Sequence, residues 1–166
     1  MLNLPKLDRI DLNILAELQK QGRMTNTELA DRVGLSASPC LARVKRLEQA
    51  RYITNYNAII NLAKLGDYQI VYTSVTLSDH RRQDFIKFEQ GIQAYEELLE
   101  CHLVSGGFDY LMKFIVRNIN HYQQVVEGIL DANIGVTKYF SYIVIKSPLV
   151  RDSVPIRSLF ARQITG

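Results

Sequence analysis

From Ser36 to Leu47 the chain gathers Arg43, Lys45 and Arg46 and carries no acidic residue at all. Guanidinium and ammonium groups clustered on one element suit a polyanion, because they reach phosphate oxygens and the O6 and N7 acceptors of guanine. Ser36, Ser38, Pro39 and Ala42 lie ahead of them and among them, and such small side chains let a backbone approach a groove closely. A solvated basic helix face would carry the same cations, so their setting has to decide. Catalytic chemistry finds less to work with. His80, His102 and His121 are scattered, and no Ser/His/Asp set, carboxylate pair or metal-ligand spacing accompanies them. Cys40 and Cys101 fall outside any metal or redox spacing and read as small buried thiols in a reducing cytosol. Neither a metal nor a cofactor is expected.

The setting of the cations is a helix-turn-helix. Leu7, Ile10, Ile14, Leu15 and Leu18 recur at helical spacing, with Asp8 as N-cap and Gly22 closing the segment. A second helix opens on a Thr25/Glu28 capping box, buries Leu29, Ala30 and Val33, and ends at Gly34. Ser36 can cap a third helix over Ala37 to Gln49, with Pro39 in the first turn, where its missing N–H costs nothing. Cys40, Leu41, Val44 and Leu47 share the inward side of this helix. Ser38, Pro39, Ala42, Arg46 and Gln49 share the outward side, flanked by Arg43 and Lys45. A short helix, a glycine turn and a second capped helix form the motif that places a recognition helix in a major groove. After it, 52–56 and 58–60 are β-prone and predict a small hairpin, or wing.

Gly66 and Asp67 interrupt the pattern, so a linker within 61–67 divides the chain into 1–61 and 62–166. In the second part, strands are expected at 68–77, 98–104, 110–116 and 138–145. Helices are expected at 79–93 and around Tyr122, Val125, Val126, Ile129 and Leu130. The order β-α-β-β-α-β is the ferredoxin-like one, so the fold class is α+β: an N-terminal winged helix-turn-helix and a C-terminal ferredoxin-like βαββαβ domain. Such a sheet carries its helices on one face and leaves the other, here apolar and aromatic, for self-association. By itself, the Ser105-Gly106-Gly107-Phe108-Asp109 segment reads as a tight hairpin turn with a capping aspartate.

Composition narrows the classes. Apolar residues make up 47% and charged ones 22%, the profile of a globular chain with a real core, and no apolar run nears the ~18–20 residues of a membrane span. The first residues hold no apolar stretch of the secretory kind, so a cytoplasmic, nucleoid-associated protein is expected. Residues 1–61 hold nine basic and six acidic side chains, whereas 62–166 hold eleven of each. The whole excess of +3 therefore sits in the part that would meet phosphate.

Two stretches, Leu7-Asp8-Arg9-Ile10-Asp11-Leu12-Asn13-Ile14-Leu15 and the run from Leu35 to Glu48 with its Ser-x-Ser-Pro-Cys form, resemble the Lrp/AsnC regulators of bacteria and archaea. So does Ser105-Gly106-Gly107-Phe108-Asp109-Tyr110-Leu111-Met112, and the resemblance spans roughly Leu7 to Ile156. It implies DNA contacts from Ser36, Ser38, Pro39, Ala42, Arg43, Lys45 and Arg46. It also implies a small amino-acid effector held by Ser105, Gly106, Gly107, Phe108 and Asp109, with Ser141 completing the pocket where dimers meet. Backbone N–H groups at the glycines suit a carboxylate, and Asp109 suits an ammonium. Double-stranded promoter DNA, the effector and further copies of the chain are then the partners. The copies would form a homodimer built into higher oligomers, of which the octamer is expected. Two departures stand out. Arg51 replaces the family's glycine after the third helix, so the turn there is expected to differ. Ser147-Pro148-Leu149 replaces a more charged stretch, so a tail through Arg157, Phe160 and Arg162 is expected to pack in its own way.

The function expected is that of a sequence-specific DNA-binding transcriptional regulator responding to a small amino acid, and not of an enzyme. One alternative is an enzyme on the same two-domain plan, similar to the tetrapyrrole decarboxylases that have lost DNA binding. Another is an architectural DNA compactor that needs no ligand.

Overall fold

The computed structural model describes the backbone of residues 6–164 and the side chains of 6–160; Arg162 lies outside the described side chains. The chain forms α1 (Arg9–Leu18), α2 (Asn26–Val33), α3 (Ala37–Gln49), β1 (Gln69–Leu77), α4 (Arg82–Gly91), β2 (Leu98–Leu103), β3 (Tyr110–Val116), α5 (Ile119–Asp131), β4 (Val136–Ile143) and α6 (Ile156–Ile164). Single 3₁₀ turns stand at Leu62–Lys64 and Ile92–Ala94. It divides into two compact units. One takes in the chain through Ile60 together with the segment from Leu149 onward, and the other is Asn61–Pro148. The tail, assigned from sequence to the second domain, thus belongs with the first.

In the first unit Ile14, Leu29, Ala30, Cys40 and Leu47 close a core over which Ile10, Leu15, Leu18, Val44 and Tyr52 are partly buried. Leu41, expected to face inward, is 43% exposed. Thr25 caps α2 by accepting from the Glu28 N–H at 3.2 Å, but the Glu28 carboxylate turns forward to Arg32 at 2.7 Å rather than back to Thr25. Gly34 takes the left-handed conformation, φ 73°, that ends α2. Ser36 occupies the N-cap position of α3 without a side-chain bond.

Past α3 the Tyr52 N–H donates to the Leu47 carbonyl at 2.9 Å, a closure that needs a left-handed residue between them, and Arg51 supplies it at φ 61°. The glycine-type turn is therefore kept despite the missing glycine, at a backbone cost of about 1–2 kcal/mol for an L-residue. The expected hairpin over 52–60 is absent: no strand forms there. Tyr52 and Ile53 are drawn onto the helical core, and the Tyr56 hydroxyl donates to Glu48 Oε1 at 2.8 Å, so 52–56 is held by side chains instead of a ladder.

The tail packs on α1. The Gln19 amide clasps the backbone of Val154 twice, donating to its carbonyl at 2.5 Å and accepting from its N–H at 3.2 Å. Arg157 reaches Glu17 at 2.8 Å, and Glu17 also meets Lys20 and Arg32. Leu15, Leu18, Tyr52, Ile53, Tyr56 and Ile156 line one cavity of about 230 Å³.

The second unit is a four-stranded sheet of order β2-β3-β1-β4, antiparallel throughout, with α4 and α5 supplying the helical layer. Alternation on β1 sends Val71, Thr73, Val75 and Leu77 inward, where the three apolar residues meet Met112, Phe114 and Val116 of β3, Phe88 and Ile92, and Tyr122, Val125, Val126 and Ile129. On β2 the register shifts between Leu98 and Glu100. This irregularity brings Leu98 against the core and leaves Leu99, expected to share the face of Cys101, exposed; Leu103, beyond the shift at the end of the strand, is exposed as well. Replacing Arg51 by Gly is expected to raise the chain's stability by roughly 0.5–1 kcal/mol in urea unfolding, and replacing it by Ala to bring no gain.

Candidate functional site

The basic residues of α3 do not form one free face. Asp8 and Asp11 close a reciprocal cap at the start of α1: the Asp11 N–H donates to Asp8 Oδ1 at 2.8 Å, and the Asp8 N–H donates to Asp11 Oδ2 at 3.0 Å. Asp11 is wholly buried, so its charge needs partners. They come from α3. Arg43 Nη1 donates to Asp11 Oδ1 at 2.8 Å and to Asp8 Oδ2 at 2.7 Å, and Arg46 Nη2 donates to Asp11 Oδ2 at 2.6 Å. Burial pushes the Asp8 carboxyl up, but the Asp11 N–H and the Arg43 guanidinium outweigh it and hold the group below its ordinary value. The two carboxylates in turn hold Arg43 above its own.

What remains outward on α3 is a stripe one face wide. Ser38, Ala42, Lys45 and Gln49 recur at helical spacing and are exposed, with Pro39 and Leu41 beside them. Lys45 makes no ion pair to any described residue. Ser36 is exposed at the N-terminal end of the helix, where the first N–H groups lack intrahelical partners. The stripe and the arginine brace use different sides of one helix, and sequence periodicity does not separate them, because it is blind to Asp11 across the interface.

In the second unit the loop between β2 and β3 is pinned by Asp109. Its Oδ2 accepts from the Leu77 N–H at 2.8 Å, its own N–H donates to the Val75 carbonyl, and its carbonyl accepts from Val104. The carboxylate has a further neighbour that sequence reasoning left aside. His80 Nε2 lies 2.9 Å from Oδ1 and 3.1 Å from Oδ2, with Phe85 beside the imidazole. Ser105, Gly106 and Gly107 are exposed, and Phe108 is half-buried. A Cβ on either glycine would meet no atom within 4 Å, so packing inside the chain does not demand them. The space over this backbone is open.

Ser141 lies elsewhere. It pairs with Thr73 across β1 and β4, and its Oγ shares a hydrogen bond with the Tyr122 hydroxyl, which also bonds Thr73 Oγ1 at 2.7 Å. Thr73 is four residues from Leu77 along β1, about 13 Å at strand rise, so Ser141 and Asp109 do not converge within one chain. The histidines do not converge either: His80 meets Asp109, His102 meets Glu100, and His121 meets Glu97. Burial pushes the Cys101 thiol up to about 11 and raises Cys40 as well, so both stay protonated at neutral pH and are poor nucleophiles. Among the described residues no group of three or more His, Cys, Asp or Glu is placed to hold a metal ion.

Comparison with known proteins bears on both units. A family model described as winged helix-turn-helix DNA-binding matches residues 7–54, and one described as the Lrp/AsnC ligand binding domain matches 70–154. The leucine-responsive regulatory proteins of Escherichia coli K12 and Klebsiella pneumoniae are 44% identical over 140 residues, 84% of this chain and 85% of theirs. Among solved structures, a transcriptional regulator of Neisseria meningitidis in complex with L-Met is similar with a TM-score of 0.84 and 31% identity, covering 92% of this chain and 99% of its own. An AsnC family regulator of Agrobacterium tumefaciens gives a TM-score of 0.85 at 25% identity with the same coverage.

Two measurements separate brace from stripe. Asp11→Ala, which strands two half-exposed guanidiniums, is expected to cost about 1–3 kcal/mol of stability in urea unfolding. Lys45→Ala is expected to leave stability within about 0.5 kcal/mol, and in gel-shift titrations to lower the salt slope of DNA binding by about one per bound chain.

Proposed function

This chain belongs to the Lrp/AsnC family of DNA-binding transcriptional regulators with an amino-acid ligand-binding domain, and on that premise we propose how its residues divide the work. The stripe of α3, with Ser36, Ser38, Pro39, Ala42 and Lys45, enters the major groove of promoter DNA. Arg43 and Arg46 set the angle of that helix through Asp11 and reach the backbone only at its margin. The observation that carries this reading is that Lys45 is exposed and makes no ion pair to any described residue, on a helix whose other two cations are already paired with carboxylates.

The effector is a small amino acid. Its carboxylate is received by the backbone N–H groups at Gly106 and Gly107 and its ammonium by Asp109, with Ser105 and Phe108 at the walls. Ser141 lies too far along the sheet to touch the same molecule in one chain, so it completes the pocket of a neighbouring copy. An apolar side chain on the effector is favoured, since the curated relatives are named leucine-responsive and one solved relative holds L-Met.

Assembly uses the exposed apolar residues of the sheet and its edge, among them Phe140, Tyr142 and Ile143. It proceeds from a homodimer to an octamer. The protein acts in the cytoplasm on the nucleoid and does no catalysis. Its histidines, each on a separate carboxylate, offer a tetrapyrrole no convergent set.

Calorimetry with leucine and methionine, set against asparagine and lysine, tests the pocket. Asp109→Ala is expected to abolish binding of the apolar pair while DNA affinity in the absence of effector stays within about twofold, a change of about 0.4 kcal/mol. Normal effector affinity in this variant would remove Asp109 from the site.

A further inference from the structure

The carboxylate proposed to receive the effector's ammonium already has a basic neighbour. Asp109 uses Oδ2 for the Leu77 N–H, and the His80 imidazole lies within hydrogen-bond distance of both its oxygens. His80 comes from a different element, the connection between β1 and α4, and its side chain is 57% exposed. From α4 it meets Phe85, whose ring also lies near Tyr110; the Tyr110 hydroxyl is committed to Glu89. Asp79, Arg81 and Arg82 flank it along the chain, and Asp84 of α4 is turned to the Arg81 N–H. Asp109 is thus the one acidic side chain that the imidazole contacts among the described residues.

We infer that His80 is a built-in competitor for Asp109 and makes effector binding depend on pH. The inference rests on the reading of Asp109 as the ammonium receptor. A neutral imidazole donates one N–H and leaves the carboxylate its full charge for an incoming ammonium. A protonated imidazole neutralises that charge and sets a second positive group beside the ligand. Proton uptake at His80 and ammonium binding at Asp109 therefore oppose each other, and by linkage the effector drives a proton off His80 as it binds. The regulator would hold its amino acid most firmly at neutral to alkaline pH and release it as the cytoplasm acidifies. Residue 80 sets where that release falls.

The test is calorimetry of the full chain with leucine and methionine at about pH 5.5 and about pH 8, which bracket the range where histidine changes charge. Each titration is repeated in buffers of different ionisation enthalpy to count protons released. In the unaltered protein, binding is expected to be about tenfold weaker at the lower pH, with net proton release near the middle of the range. His80→Asn keeps a donor without a titrating charge, and is expected to bind as tightly at the lower pH as at the higher and to release no proton. His80→Lys is charged throughout and is expected to bind weakly at both. Equal affinity at both pH values in the unaltered protein, or a pH dependence that survives in His80→Asn, overturns the inference while leaving the effector reading intact. No binding of either amino acid at either pH removes both.

Discussion

A single buried carboxylate organises the DNA-facing unit. Asp11 has no access to water, and an unpartnered charge in such a place would cost several kcal/mol. Every donor that relieves it is therefore held in place: the N–H of Asp8, Arg43 and Arg46. The first fixes where α1 begins, and the other two fix the roll of α3 about its own axis. That roll determines which side chains face outward. With Arg43 and Arg46 turned toward α1, the outward stripe has to be Ser38, Ala42, Lys45 and Gln49. A helix that reads a groove by geometry needs its roll fixed in advance, because a rotation of one residue, ~100°, would present a different face altogether.

The second unit applies the same economy to a loop. Asp109 fastens the β2–β3 turn to the end of β1 through main-chain and side-chain bonds, so the two glycines before it are held at a defined place without being packed. A fixed frame around an uncovered backbone is what a small zwitterion needs, since its two charges have to be met at once. Thr73, Tyr122 and Ser141 form a separate polar chain through the sheet, with a buried tyrosine hydroxyl satisfied on both sides.

Much of this was legible in the residues, for identifiable reasons. The bounds of α3 follow from Gly34, Ser36 and Pro39, each a local signal, and β3 follows from the apolar run Tyr110 to Val116 that returns after the glycine turn. What escaped depended on partners distant in sequence. Arg43 and Arg46 read as free cations because Asp11 is more than thirty residues away, and His80 read as an isolated histidine because Asp109 is twenty-nine away. The β-prone 52–56 stretch gave its side chains to other partners, Tyr52 and Ile53 to the core and Tyr56 to a glutamate, and local propensity does not weigh such competition; Ile59 and Ile60 beyond it stay exposed. The tail was assigned by adjacency in the chain, which says nothing of Gln19 waiting for Val154.

That last contact means the helix-turn-helix unit is not a contiguous stretch of polypeptide. Its final piece arrives only after the entire sheet has been threaded, with Gln19 and Glu17 receiving Val154 and Arg157 from 135 and 140 residues downstream. Chimeras that swap recognition heads between relatives would have to carry the segment from Leu149 together with the stretch through Ile60, since an exchange at the linker alone leaves α1 facing a foreign tail.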